Sequence, residues 1–330
     1  MKVCIYGVGA IGGFIGTRLA LAGGCQLSAV ARGATLAALQ QHGLRLRQGG
    51  ELRAAPVRAS ADPAALGVQD LVVIAVKGPA LGAVAAAIGP LIGPKTLVLP
   101  AMNGVPWWFA AAAPALGDAP LHSIDPGGAI AAAIPLAQVI GCVVHASTFT
   151  SAPGLVEHKM GQGLILGEPT SGVSERVLAL AALLQAAGFD ATVSADVRRD
   201  IWYKLWGNMT MNPITAITGA TVDRVLDDPL VRALCGAAMN EAAAVGARIG
   251  CRIEQTPEDR HQITRKLGAF KTSMLQDVEA GRAVELDALV SVVREMAQRL
   301  SVATPMIDAL LGLARLHGRV HGLYPEAPAG

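Results

Sequence analysis

Aromatic side chains are scarce in this chain of 330 residues: tryptophan, tyrosine and phenylalanine make up 4% of it, against a hydrophobic fraction of 52%. The interior must therefore be built from Ala, Val, Leu and Ile, a composition suited to helices packed closely on a sheet. Clustered charge is missing too. Lys and Arg number 27 against 25 acids, a formal net charge of +2, and the basic residues form no stripe, which argues against a nucleic-acid partner. The five cysteines (Cys4, Cys25, Cys142, Cys235, Cys251) form no Cys-x-x-Cys pair and have no histidine at zinc-ligand spacing. Buried thiols in a reducing compartment are expected, and no metal site. The chain opens without a signal-peptide pattern, since its single early Lys is followed by a run broken by glycine from Gly7 onward; a cytoplasmic protein is expected. Uncharged stretches at 96–117 and 127–147 are long enough to span a membrane, but Pro100, Asn103, Pro106 and Pro114 interrupt the first and Pro135 the second. A membrane protein is not expected.

The length favours two domains, because single cores rarely keep growing beyond ~250–300 residues. Residues 2–6 form a β-prone run leading into Gly7-Val-Gly9-Ala10-Ile11-Gly12-Gly13, after which 14–22 read as an Ala/Leu helix closed by Gly23-Gly24. Further strands are expected at 26–31, 69–76 and 96–99, separated by Ala-rich helical segments. This alternation implies an α/β fold with a Rossmann-type, doubly wound parallel sheet. Residues 139–150 and 163–166 are β-prone around a Pro153-Gly154 turn and are expected to extend that sheet or cover its edge. A helix over 174–187 and a strand at 190–193 complete the first domain, 1–195. The remainder, 196–330, is expected to be all-helical, with helices over 197–212, 221–249, 257–269, 273–280, 285–300 and 304–318 and a short Pro/Gly/Ala tail after Tyr324. The cleft between the two domains is the expected ligand site.

Gly7-x-Gly9-x-x-Gly12 follows an expected strand and opens an expected helix, the context that gives this pattern meaning. The first glycine permits a tight turn, the second lets backbone approach a pyrophosphate, and the third lets helix and strand pack closely, with phosphate at the helix N-terminus. Gly7, Gly9, Ala10, Ile11 and Gly12 are thus the expected dinucleotide contacts. Sites that prefer NAD place an acid about 20 residues further on to hold the ribose 2′-hydroxyl. No acid occurs between Cys25 and Gly50, and Arg32 stands there instead; a guanidinium can meet a 2′-phosphate, so NADPH is the expected cofactor. Lys77 and Asn103 each follow the C-terminal end of an expected parallel strand, where such sheets place their ligands.

Lys204, Asn208 and Asn212 recur at i, i+4 and i+8, which puts them on one face of a helix beside an apolar stripe of Ile201, Leu205 and Met209. A solvated face would more often carry Glu and Lys than two Asn. Pro213 is expected to end or kink that helix and to aim Asn212 inward. Further on, Ser273-x-x-Gln276 fits a capping box, and Glu285 suits the first turn of a helix, opposite the positive end of its dipole. For both residues the spacing leaves a structural and a catalytic role open.

In this order, the glycine loop at 7–12, Val76-Lys77, Asn103-Gly104-Val105, the stretch 204–213, Lys271-Thr-Ser-Met-Leu-Gln-Asp277 and Glu285-Leu-Asp287 resemble the ketopantoate reductase (2-dehydropantoate 2-reductase) family over roughly residues 1–313. The resemblance implies a 6-phosphogluconate-dehydrogenase-like helical C-terminal domain and NADPH-dependent reduction of ketopantoate to pantoate, a step of pantothenate biosynthesis. It also implies Lys204 as general acid, Glu285 as active-site carboxylate, and Asn103, Asn208, Asn212 and Ser273 as substrate-binding groups. The chain departs from the simplest members in a longer segment after Asn103, running through Pro106-Trp107-Trp108 to Gly128. That departure keeps a second reading in play, a related NADPH-dependent reductase of another small 2-oxo acid using the same Lys/Glu pair. At least one of Trp107 and Trp108 is expected to line the substrate cleft. A non-catalytic NADPH sensor would be expected to lack Lys204 or Glu285, and both are present. The apolar composition and helical second half are compatible with a homodimer.

Overall fold

Val3, Cys4 and Ile5 are fully buried, and so are Leu71, Val72, Val73 and Ile74, because the strands that carry them have neighbours on both sides. The computed structural model describes residues 1–326, so the tail expected after Tyr324 lies outside them from residue 327 on. The strands are β1 (Lys2–Tyr6), β2 (Gln26–Val30), β3 (Leu44–Gln48), β4 (Glu51–Ala55), β5 (Arg58–Ser60), β6 (Leu71–Ile74), β7 (Leu97–Pro100), β8 (Gly141–Ala152), β9 (Leu155–Gly167) and β10 (Asp190–Val193). With them in the first part of the chain are helices α1 (Ala10–Ala22), α2 (Gly33–His42), α3 (Leu81–Ala87), α4 (Ala129–Ala133) and α5 (Glu175–Ala186). From residue 197 on, the described chain holds only helices: α6 (Val197–Thr218), α7 (Val222–Asp227), α8 (Pro229–Arg248), α9 (Pro257–Arg265), α10 (Ser273–Glu279), α11 (Val292–Arg299) and α12 (Pro305–Val320).

The parallel sheet has the order β5-β2-β1-β6-β7, the arrangement of a mononucleotide-binding half with β1 at its centre. The β8–β9 hairpin does not extend this sheet; it belongs to a second one, ordered β10-β9-β3-β4 with β8 on β9, and a single bridge between Val98 and Val139 links hairpin and parallel edge. The β3–β4 hairpin was not read from the sequence, although Leu44-Arg45-Leu46-Arg47 alternates with period two and Gly49-Gly50 supplies the turn. Helix α1 is buried on most of its circumference, as a helix apolar all round must be. A Cβ on Gly12 would approach Ile5 of β1 at 3.0 Å, and one on Gly13 would meet Val156 of β9 at 2.6 Å. Small residues on both sides of α1 thus let both sheets close onto it.

The chain divides into two compact units, Met1–Trp108 with Gly127–Asp200, and Phe109–Pro126 with the residues from Ile201 on. A cut at 195/196 would leave Phe109–Pro126 with the first half. Its place in the second unit has a visible cause. The Glu295 carboxylate of α11 accepts from the backbone N–H groups of His122 and Ser123, at 2.8 Å each, and from the Ser123 hydroxyl at 2.6 Å. Arg299, one turn on, donates to the Ala119 and Pro120 carbonyls and to Glu295 itself. Trp107 and Trp108, at 3% and 2% exposed, are both packed into the interior, which corrects the expectation that one of them lines an open substrate cleft. The single helix expected over 221–249 is two, because Pro229 lacks an N–H and Asp228 caps the new start, accepting from Leu230 and Val231.

The Glu295 clasp carries a prediction. Burial opposes ionisation of this carboxyl, yet hydrogen bonds from the Ser123 hydroxyl and backbone, the His122 backbone and Arg299 outweigh it and hold the group below its usual range. A depressed folded pKa gives stability that is present above the unfolded value and is lost as pH falls through the folded one. Glu295→Gln is expected to cost about 1–3 kcal/mol near neutral pH, with the difference shrinking as pH falls below the usual carboxylate range. Thermal melts of both proteins across that range check it; a Tm difference independent of pH would contradict it.

Candidate active site

The glycine loop adopts the geometry its spacing predicts. Gly7 has φ +94°, a region that favours glycine, and its N–H donates to the Val30 carbonyl at 3.1 Å. A Cβ there would lie 2.5 Å from Val76 Cγ1, and one on Gly12 would lie 2.0 Å from the Gly7 carbonyl oxygen. At Gly9, the N-cap of α1, a Cβ would meet nothing within 4 Å, so this backbone borders open space. No acid occupies the first turn of α1, and the positive end of the helix is left for an anion. The loop, with Ala10 and Ile11 opening the helix, therefore fits a dinucleotide pyrophosphate.

Arg32 is exposed just beyond the end of β2. It lies within electrostatic reach of Tyr6, whose phenol is pushed up by burial while the guanidinium pulls the other way. Lys77 is exposed and Asn103 half-buried, beyond the C-terminal ends of β6 and β7 respectively. All of these residues belong to the first unit.

Lys204, Asn208, Asn212, Ser273 and Glu285 all belong to the second. Along α6, Lys204 and Asn208 are half-buried and Asn212 is 4% exposed, so the polar face runs into the interior rather than along solvent. Neither asparagine side chain hydrogen-bonds within the described residues, which leaves both amides available to a ligand. The helix does not end at Asn212: it passes through Pro213 to Thr218. Burial of Met211, Ile214 and Thr215 around the proline outweighs the lost bond, which ordinarily costs about 3 kcal/mol.

Thr215 also ties this turn to α10, its hydroxyl lying 2.6 Å from that of Thr272. Thr272, not Ser273, is the N-cap of α10, accepting from Leu275 N–H at 3.2 Å. This corrects the capping-box reading and leaves the Ser273 hydroxyl exposed at the first helical position, close in the chain to the contact with the Asn212 turn. Glu285 is likewise not in a helical turn. It is half-buried in the irregular segment before a π-helical turn, Asp287–Ser291, that leads into α11; such turns are frequent at functional sites. Thr272 and the Glu295 clasp were missed by sequence reasoning. Thr272 stands one residue from the expected cap, whereas nothing local marks Glu295.

Among the described residues, no three His, Cys, Asp or Glu side chains gather as a metal site, and no helix is long and apolar enough to cross a membrane. Residues 3–171 match the family model described as ketopantoate reductase PanE/ApbA, and residues 196–318 match its C-terminal counterpart. A 2-dehydropantoate 2-reductase of Mesorhizobium japonicum is 46% identical over 325 residues, covering 98% of this chain and 100% of that one. A crystal structure from Ralstonia solanacearum MolK2, described as a candidate ketopantoate reductase, matches with TM-score 0.93 at 56% identity, over 98% of this chain and 99% of that one. The PanE/ApbA family ketopantoate reductase of Ralstonia eutropha JMP134 matches with TM-score 0.83 at 27% identity, over 98% and 100%. The chain belongs to the ketopantoate reductase family, whose members are NAD(P)-dependent oxidoreductases.

Proposed function

We propose that this protein is a 2-dehydropantoate 2-reductase, which reduces ketopantoate to pantoate with NADPH and so serves pantothenate biosynthesis. The observation that carries the reading is the face of α6, where the Lys204 ammonium and the Asn208 and Asn212 amides line up one turn apart and run towards the interior. When bound, NADPH supplies the hydride that reaches the carbonyl carbon of the substrate. Lys204 donates its proton to the carbonyl oxygen as negative charge develops there, which completes the alcohol. Glu285 orients that ammonium and accepts from a substrate hydroxyl. Asn103, Asn208, Asn212 and Ser273 hold the carboxylate and the remaining oxygens. On the cofactor side, Gly7, Gly9, Ala10, Ile11 and Gly12 cradle the pyrophosphate, with Lys77 and Asn103 at the neighbouring strand ends, and Arg32 meets the 2′-phosphate. We place the enzyme in the cytoplasm, in keeping with five free thiols, and expect a homodimer; the exposed Leu313, Leu316 and Val320 along α12 support self-association.

The test is NADPH oxidation by the purified protein across a panel of small 2-oxo acids. Ketopantoate is expected to show the highest kcat/KM. A clear preference for another acid would move the assignment to a related reductase, and no oxidation with any of them would overturn it. In the same assay NADPH is expected to outperform NADH, and Arg32→Asp to reverse or abolish that preference. Equal efficiency of the parent with both cofactors would remove the argument from Arg32.

A further inference from the structure

We infer that Tyr324, near the C-terminus, is a positioning residue for the Glu285 carboxylate. The inference rests on the reading of Glu285 as an active-site group. Glu285 stands in a segment without regular structure between α10 and the π-helical turn, so no helical or sheet ladder of its own sets its backbone. Two contacts from Leu323 and Tyr324 bracket it instead. One residue before it, the Val284 N–H donates to the Leu323 carbonyl at 3.0 Å. Two residues after it, the Asp287 carboxylate accepts from the Tyr324 hydroxyl at 2.6 Å, and the same oxygen accepts from Ser291 at 2.9 Å. The second bond ties Tyr324 to both ends of the π-helical turn, Asp287–Ser291.

The segment 323–325 is itself held in place. Leu323 N–H donates to the Gly318 carbonyl at 2.7 Å, and a Cβ on Gly318 would lie 2.7 Å from Tyr324 Cβ, so the tail seats on α12 where that helix lacks a side chain. The Arg319 guanidinium sits 5.8 Å from the Tyr324 ring centroid, and its Nε donates to the Pro325 carbonyl. Burial, reinforced by the bond to Asp287, pushes the Tyr324 phenol up to about 12, so it stays a neutral donor under assay conditions. A phenol–carboxylate bond of this kind restricts the segment that carries Glu285, and misplacing a reacting group by about 1 Å can cost up to about 100-fold in rate.

The experiment is a double-mutant cycle with Tyr324→Phe and Glu285→Gln, measuring kcat, KM and NADPH affinity for all four proteins. Tyr324→Phe keeps the ring and removes only the hydroxyl. It is expected to lower kcat for ketopantoate about 10-fold, to leave NADPH affinity within about twofold, and to cause little further loss in the Glu285→Gln background. Asp287→Asn, which weakens the acceptor, serves as the second variant and is expected to act in the same direction. Parental kcat in Tyr324→Phe would overturn the proposal, as would the same fold-loss with and without Glu285. A Glu285→Gln protein with parental kcat would overturn the role of Glu285 itself, and the proposal with it.

Discussion

Lys204→Ala is expected to lower kcat by about 10²–10⁴, the range for losing a general acid, in a protein that still folds and binds NADPH with parental affinity. The fold should survive because the core side of α6 is carried by Trp202, Leu205, Trp206 and Met209, all buried, and by the Trp206 indole N–H donating to the Met239 carbonyl at 2.7 Å. Lys204 is half-buried on another side of the helix, and the glycine cradle for the cofactor belongs to the other unit. The loss should fall on kcat and kcat/KM together, since a proton donor acts in the transition state rather than in substrate binding. Steady-state kinetics with a fluorescence titration of NADPH separate these outcomes. Near-parental kcat would show that the proton comes from elsewhere.

Gly12→Ala is expected to destroy cofactor binding and to lower stability by about 1–3 kcal/mol or more, the cost of overpacking a closed contact. The new methyl would sit 2.0 Å from the Gly7 carbonyl oxygen, 3.0 Å from Ile5 Cγ2 and 3.1 Å from Ala75 Cβ. Two of those neighbours belong to central strands or the loop backbone and cannot swing aside as a flexible side chain could. Relief must come from moving α1 away from the sheet, which carries its N-terminus out of register with the loop. Gly9→Ala is the control, because its methyl meets nothing within 4 Å. It should keep the parental Tm and lose NADPH affinity alone, by occupying the space a pyrophosphate needs. Melting temperatures and NADPH titrations for the pair decide it. A Gly12→Ala protein with parental Tm and affinity, or a Gly9→Ala protein with parental affinity, would contradict this account of the loop.

The sequence by itself determined whatever depends on a few neighbouring residues. Gly7, Gly9 and Gly12 specify a strand–turn–helix, because positive φ and a close helix–strand contact are properties of individual positions. The spacing of Lys204, Asn208 and Asn212 specifies a shared face because helical periodicity needs no partner. The central strands and most helices were legible for the same reason. Tertiary structure decided what depends on groups far apart in the chain. Pro213 remains inside α6 because buried neighbours outweigh a local penalty. Thr272 takes the cap and frees Ser273 because Thr215, 57 residues earlier in the chain, holds the Thr272 hydroxyl. Phe109–Pro126 joins the second unit through Glu295, over 170 residues further on. Glu285 is bracketed by Leu323 and Tyr324, whose approach no pattern near Glu285 encodes. Local backbone preferences are set within one or two turns of chain, whereas these pairings exist only once burial has brought the distant segments together.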